Sequence, residues 1–393
     1  WRERTRAIED RLSDALHQAL TQRFVDARTT TLVRRLADGD KLHARVTETG
    51  DVMVESHFVG KIEGFKFIAD AADGAAAERA VSAAAYRALG GEVRRRVTAL
   101  ETASDGDIML SEDGRILWLD TLVGRVVPGS EVLRPRAVVV AGELLEAPAR
   151  ERVEDRLNRW LAAEIESRLG PLLRAERVLS GDGVNGNVRG ILYQLVEGLG
   201  AFPRRDAKNL IAGLAKEDYS RLRGLGVWIG RQDVFMEAMI RPKAAHLSAL
   251  LWAIHHGHAP IPKPPPAGRV SIAADPDWPR GFLYAAGYRP AGARALRIDI
   301  AERLITAIDE KMTDGAAPLS AALLNLAGCT GDEMAGIIDA IGYRLRKDGE
   351  ARFIERRQGR AAAKGARKAK KQRQQVKVDP NSPFAKLKDL AAG

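Results

Sequence analysis

Residues 52–67 read VMVESHFVGKIEGFKF, and residues 114–129 read GRILWLDTLVGRVVPG. Apolar and polar residues alternate in VMVES and in KIEGFKF, and Gly stands where the chain has to turn. A period of two marks a strand with one buried face, and strands bounded by Gly favour hairpins. Both stretches carry a Val-Gly-basic-apolar signature, with Gly60-Lys61 matching Gly124-Arg125.

Helical patterns flank these stretches. LTQRF (20–24), LGGEV (89–93) and LAAEI (161–165) lie 69 and then 72 residues apart. Apolar residues recur around each at three- and four-residue spacing, as in Leu12, Leu16, Leu20 and Phe24. The pattern predicts two helix-plus-hairpin modules over 1–149 and a third helix over 150–179. The identities are few, and chance similarity in a chain rich in Ala, Arg and Leu stays open as the alternative.

Residues 150–258 read as a helical domain, with NVRGILYQLVEGLG and KAAHLSALLWAIHHG as its clearest helices. Five prolines between Pro260 and Pro266 exclude a helix interior, so 259–293 is expected to be a Pro-rich linker or arm. Residues 294–355 suggest a small winged-helix-like unit. In ALRIDIAERLITAIDEKM, Leu296, Ile300, Leu304 and Ile308 share one helical face; two short helices flank Gly328–Gly331, and Asp348-Gly349 signals a hairpin. The expected fold class is therefore α+β, mainly helical, with repeat modules, a helical middle domain, a winged-helix-like unit and a disordered basic tail.

The charge sits in that tail. The chain carries a formal net charge of +10 from 62 basic and 52 acidic residues. Residues 356–378 form a basic arm with ten cations and no carboxylate before Lys377: Arg356, Arg357, Arg360, Lys364, Arg367, Lys368, Lys370, Lys371, Arg373 and Lys377. The first 355 residues are therefore neutral overall. A cationic block with Gln, Ala and Gly between its charges cannot bury a core, and it fits sequence-nonspecific binding of single-stranded or structured nucleic acid through phosphates. A merely solubilising tail is the plain alternative. Residues 379–393 close the chain with a short amphipathic motif, in which Ser382 caps, Pro383 suits a first turn, and Phe384, Leu387 and Leu390 form an apolar side for docking a protein partner.

Motifs for chemistry are weak. GDGVNG (181–186) fits a dinucleotide fingerprint, but a charged, helix-like PLLRAERVLS precedes it where a buried strand is required. HHGH (255–258) places imidazoles too close together to face one metal, with no acidic or thiol ligand nearby in sequence. DEMA (332–335) is similar to a helicase DExx box, yet it follows AGCTG, and no G-x-x-x-x-G-K-[ST] occurs anywhere in the chain. No catalytic, metal or cofactor residues are expected here, and the isolated chain is expected to hydrolyse no ATP. Cys329 is the sole cysteine, which suits a reducing, cytoplasmic setting, and no apolar run approaches the roughly 18 residues of a membrane span. The opening WRERTRAIEDRL lies inside a helical pattern with no initiator Met, so further sequence is expected before Trp1.

Several stretches together carry a resemblance. They are DRLSDALHQALTQRFVDARTTTLVRRL (10–36), VGKIEGFKF (59–67), RGILYQLVEGLG (189–200), GVWIGRQDVFMEAMIRPKAAHLSALLWAI (226–254), AAGYRPAGARALRIDIAERL (285–304) and DPNSPFAKL (379–387). The set resembles the region that follows the motor in alphaproteobacterial superfamily-two ATP-dependent helicases, bacterial relatives of the mitochondrial-degradosome (Suv-type) RNA helicase. That resemblance implies a motor upstream in cis, with ATP and Mg as the motor's own cofactors. It implies an accessory, nucleic-acid-holding role for these residues. A non-enzymatic scaffold that recruits protein partners such as nucleases is the rival reading.

Overall fold

The computed structural model describes residues 43–356 apart from 48, 56, 71–74, 182, 267 and 350, together with residues 6, 11–16 and 34. It is a mixed α/β protein with several small antiparallel sheets. The described residues fall into two compact units. One takes in residues up to Ile229, Val234–Gly268 and Trp278–Gly287; the other takes in Gly230–Asp233, Arg269–Asp277 and residues from Tyr288 onward.

The first unit contains two four-stranded meanders. Strands β1 (Ala44–Val46), β2 (Asp51–Val54), β3 (His57–Glu63) and β4 (Lys66–Ala69) pair in chain order. So do β5 (Ile108–Leu110), β6 (Arg115–Trp118), β7 (Thr121–Val127) and β8 (Arg136–Val139). Details of the two sheets coincide at a constant offset of 64 residues. The register shifts at Val52/Met53 and at Ile116/Leu117. Glu55 and Leu119 both take positive φ, at 49° and 45°. Ile62 N–H donates to Gly50 O at 2.8 Å, and Val126 N–H donates to Gly114 O at 2.8 Å.

Two long helices cover these sheets. Helix α1 (Ala75–Thr102) buries Leu89, Val93, Val97 and Leu100, one apolar stripe at helical spacing. Helix α2 (Ala147–Leu179) buries Leu157, Trp160, Leu161 and Ile165, and it kinks at Leu169, just before Gly170-Pro171. Proline removes a helical N–H and crowds the preceding turn, which accounts for the bend. The Gly of the repeated signature has a steric reason in each sheet. A Cβ on Gly124 would stand 2.8 Å from Leu157 Cδ1, so glycine lets α2 settle on the sheet. Gly60 has φ +147°, and a Cβ there would lie 2.2 Å from Ile68 O on the neighbouring strand.

The remainder of this unit alternates short helices and strands. Helices α3 (Gly186–Glu197), α4 (Lys208–Ala212), α5 (Lys216–Gly224), α6 (Pro242–His255) and α7 (Arg280–Ala285) are accompanied by β9 (Ala201–Pro203), β10 (Val227–Ile229) and β11 (Asp233–Met236). These strands form a small sheet in the order β10-β11-β9, where sequence periodicity suggested mostly helix. Strands of three or four residues are too short to show a period of two. The GDGVNG stretch follows α2 rather than a strand, and Asn185 within it caps α3 by accepting from Asn187 N–H at 3.0 Å.

The second unit opens with β12 (Ser271–Ala273), β13 (Tyr288–Ala291) and β14 (Arg294–Arg297), paired as β12-β14-β13. The apolar helix expected over 295–312 starts only at Ile298, as α8 (Ile298–Glu310), and Leu296 belongs to β14. Ile300, Leu304 and Ile308 do share its buried face. Strand β15 (Ala316–Pro318), helices α9 (Ala321–Ala327) and α10 (Met334–Ala340), and the hairpin β16 (Tyr343–Asp348)–β17 (Ala351–Arg356) complete the unit; its second sheet runs β15-β17-β16. Gly349 turns that hairpin with φ +61°. Asp233, fully buried, holds Arg289 at 2.7 Å, and the Glu302 carboxylate accepts the backbone N–H groups of Arg231, Gln232 and Asp233.

Candidate nucleic-acid interface

Helix α5 and strand β10 build the site. Asp218 turns inward, where its Oδ2 accepts from Ala215 N–H at 3.0 Å and from Asn185 Nδ2 at 2.9 Å. Leu222, one turn later, is buried. With 218 and 222 fixed inside, Lys216, Tyr219, Ser220 and Arg223 fall on the opposite, outward face by helical spacing. The chain then turns at Gly226, with φ +80°, and enters β10. Alternation along this strand buries Val227 and sends Trp228 outward.

The two elements place their side chains around one cleft of about 250 Å³, lined by Lys216, Tyr219, Ser220, Arg223 and Trp228 over a floor of Leu222, Val227 and Ile229. Trp228 is 50% exposed and Tyr219 44%, both high for large aromatic side chains. The Arg223 guanidinium lies 5.6 Å from the Trp228 ring centroid, a cation–π arrangement. No carboxylate lines this cleft. Two other open clefts include one, Glu112 in the first and Asp332 in the second. Exposed rings beside cations, with no carboxylate in the lining, are the combination that stacks nucleobases while neutralising their phosphates.

The residues singled out in the sequence are distributed differently. Arg356 ends β17, where it pairs across to Tyr343 and its guanidinium bonds Asp309 at 2.9 Å. The other nine arm cations, and Phe384, Leu387 and Leu390, lie outside the described residues. The histidines of HHGH organise around Trp252: His256 stacks on its ring at 4.1 Å and His258 at 5.3 Å. Asp332 and Glu333 of DEMA precede α10. The Glu333 carboxyl is held below its ordinary range by the Thr330 backbone N–H, then by the Thr330 hydroxyl and Arg294. Cys329, nearby, has its thiol pushed up by burial and by the Glu333 charge.

Sequence reasoning passed over Trp228 and Tyr219. The signal was present as Lys216, Tyr219, Ser220 and Arg223 at i, i+3, i+4 and i+7, followed by a Gly-Val-Trp-Ile alternation. Comparison with protein-family models, with curated proteins and with solved structures returns no match for this chain.

Proposed function

We propose that this chain is the accessory region of an ATP-dependent helicase, which grips single-stranded nucleic acid without sequence preference while a motor outside these residues performs ATP hydrolysis. The cleft of Trp228, Tyr219, Arg223 and Lys216 carries this reading, because it joins exposed rings to cations with no carboxylate in its lining. The cationic run from Arg357 to Lys377 supports it through charge alone.

The finer architecture is read in the same way. The two four-stranded sheets are copies of one unit, which the common offset of bulges, positive-φ residues and turn hydrogen bonds supports. Residues 298–356 form a winged helix, supported by the order helix, strand, helix, helix, strand, strand and the sheet order β15-β17-β16. Its third helix, α10, serves packing rather than groove reading. A Cβ added to Gly292 of the β13–β14 hairpin would lie 3.0 Å from Gly336 Cα of α10, so one side of the helix is covered. On its approach, the Asp332 carboxylate holds the Arg352 guanidinium at 3.2 Å.

Binding of a labelled oligouridylate, followed by anisotropy, tests the proposal. Trp228→Ala is expected to weaken binding by about 1–3 kcal/mol, the range for loss of one stacking platform. Unchanged affinity in Trp228→Ala and Tyr219→Ala would remove the cleft from the interface.

A further inference from the structure

The second meander has two faces of opposite character. Ile108, Ile116, Val126, Ala137 and Val139 point inward and are buried. Cross-strand partners share a face, so the register defines what the outer face displays. Met109 pairs with Leu117, and Leu117 with Leu122, giving an aliphatic row across β5, β6 and β7. The adjacent row holds Arg115 opposite Arg125, with Val138 beside Arg125 on β8, and the row after it sets Val127 opposite Arg136. Met109 is 54% exposed; Leu117 and Leu122 are partly exposed, and none of the three packs on the buried core of the unit.

The outward positions of these strands contain no carboxylate. Arg115 is engaged at 2.7 Å by Asp113 from the β5–β6 turn. Arg125 and Arg136 are exposed and have no carboxylate within ion-pair distance among the described residues. The first meander does not share this polarity, since Asp51 and Glu63 stand opposite Lys61 and Lys66 on its strands.

We infer that the outer face of the β5–β8 sheet docks an acidic amphipathic segment of a partner protein. Charge complementarity and the aliphatic row define the occupant. Apolar side chains of the segment cover Met109, Leu117 and Leu122, and its carboxylates meet Arg125 and Arg136. Nucleic acid fits less well, because the face offers no aromatic ring for a base to stack on. The inference stands independently of the cleft at Trp228.

The test uses the full chain and a fluorescein-labelled helical peptide of about 18 residues, leucine on one face and glutamate on the other, with a lysine counterpart as control. Cations elsewhere in the chain attract any polyanion, so the informative quantity is the change in affinity on substitution. Arg125→Glu with Arg136→Glu is expected to weaken the acidic peptide at least about tenfold, a loss of about 1.4 kcal/mol. Met109→Asp, at a half-exposed position, is expected to weaken it too, while Trp228→Ala leaves it unchanged. Equal binding of the glutamate and lysine peptides would overturn the inference, as would an unchanged affinity in the Arg variants. Loss of oligouridylate rather than peptide binding in those variants would overturn it as well, assigning the face to nucleic acid.

Discussion

A buried carboxylate and a half-buried thiol show how single residues set local properties. Asp233 is completely buried and its charge is met by Arg289 at 2.7 Å, with Ala340 O accepting from the same guanidinium at 3.1 Å. Removing one partner strands the other charge in a low-dielectric interior, whereas replacing both avoids that penalty. Asp233→Ala is therefore expected to destabilise the second unit by about 3–5 kcal/mol in chemical denaturation, and Asp233→Leu with Arg289→Met by clearly less. Equal losses would show that packing, not charge burial, sets the cost. Cys329 supplies a second readout, because it is the sole thiol. Burial and the neighbouring Glu333 charge both disfavour its thiolate. Its reaction with a disulfide reagent is expected to stay slow at the ordinary thiol pKa of about 8.5 and to rise only at higher pH. A reaction profile centred at or below that value would contradict the half-buried placement beside Glu333.

At the scale of elements, the twin glycines of the opening stretches govern how each sheet is built. A Cβ on Gly124 would press hardest on a side chain that can shift, Leu157 Cδ1 at 2.8 Å, and next on Val138 O at 3.0 Å; one on Gly60 would stand far closer to backbone, 2.2 Å from Ile68 O. Gly124→Ala is expected to cost about 1–3 kcal/mol by overpacking. Gly60→Ala should cost more, since positive φ adds to the backbone clash. Thermal unfolding of the two variants checks the order, and a larger loss at Gly124 would reverse it. These strands were legible because seven-residue β3 and β7 are long enough to display alternation, and because Val-Gly-basic recurs. The sheets built from β9 to β14 were not, as three- and four-residue strands leave no period to read. Leu296 shows the same limit: its apolar spacing continues that of α8, but the helix starts at Ile298 with Arg297 as N-cap, leaving Leu296 in a strand. The cleft was missed for a different reason. Its rings are few, and only the fold sets Trp228 beside Arg223; along the chain the two are simply five residues apart.

In the proposed function, the grip on nucleic acid divides across the molecule between two kinds of contact. The folded cleft would supply stacking, which depends little on salt, and the run of cations would supply charge neutralisation, which depends on it strongly. His256 and His258 stack on Trp252, and before α10 the Glu333 carboxylate accepts from Thr330 N–H. The measurement that separates the two contacts is the dependence of oligouridylate affinity on salt, compared for the full chain, for Trp228→Ala and for a chain lacking 357–377. If the nine cations removed neutralise half their number of phosphates, the deletion is expected to flatten the slope of log affinity against log salt by about 3. Trp228→Ala should lower affinity at every salt concentration and leave the slope in place. A slope that survives the deletion, together with an affinity indifferent to Trp228, would contradict the account.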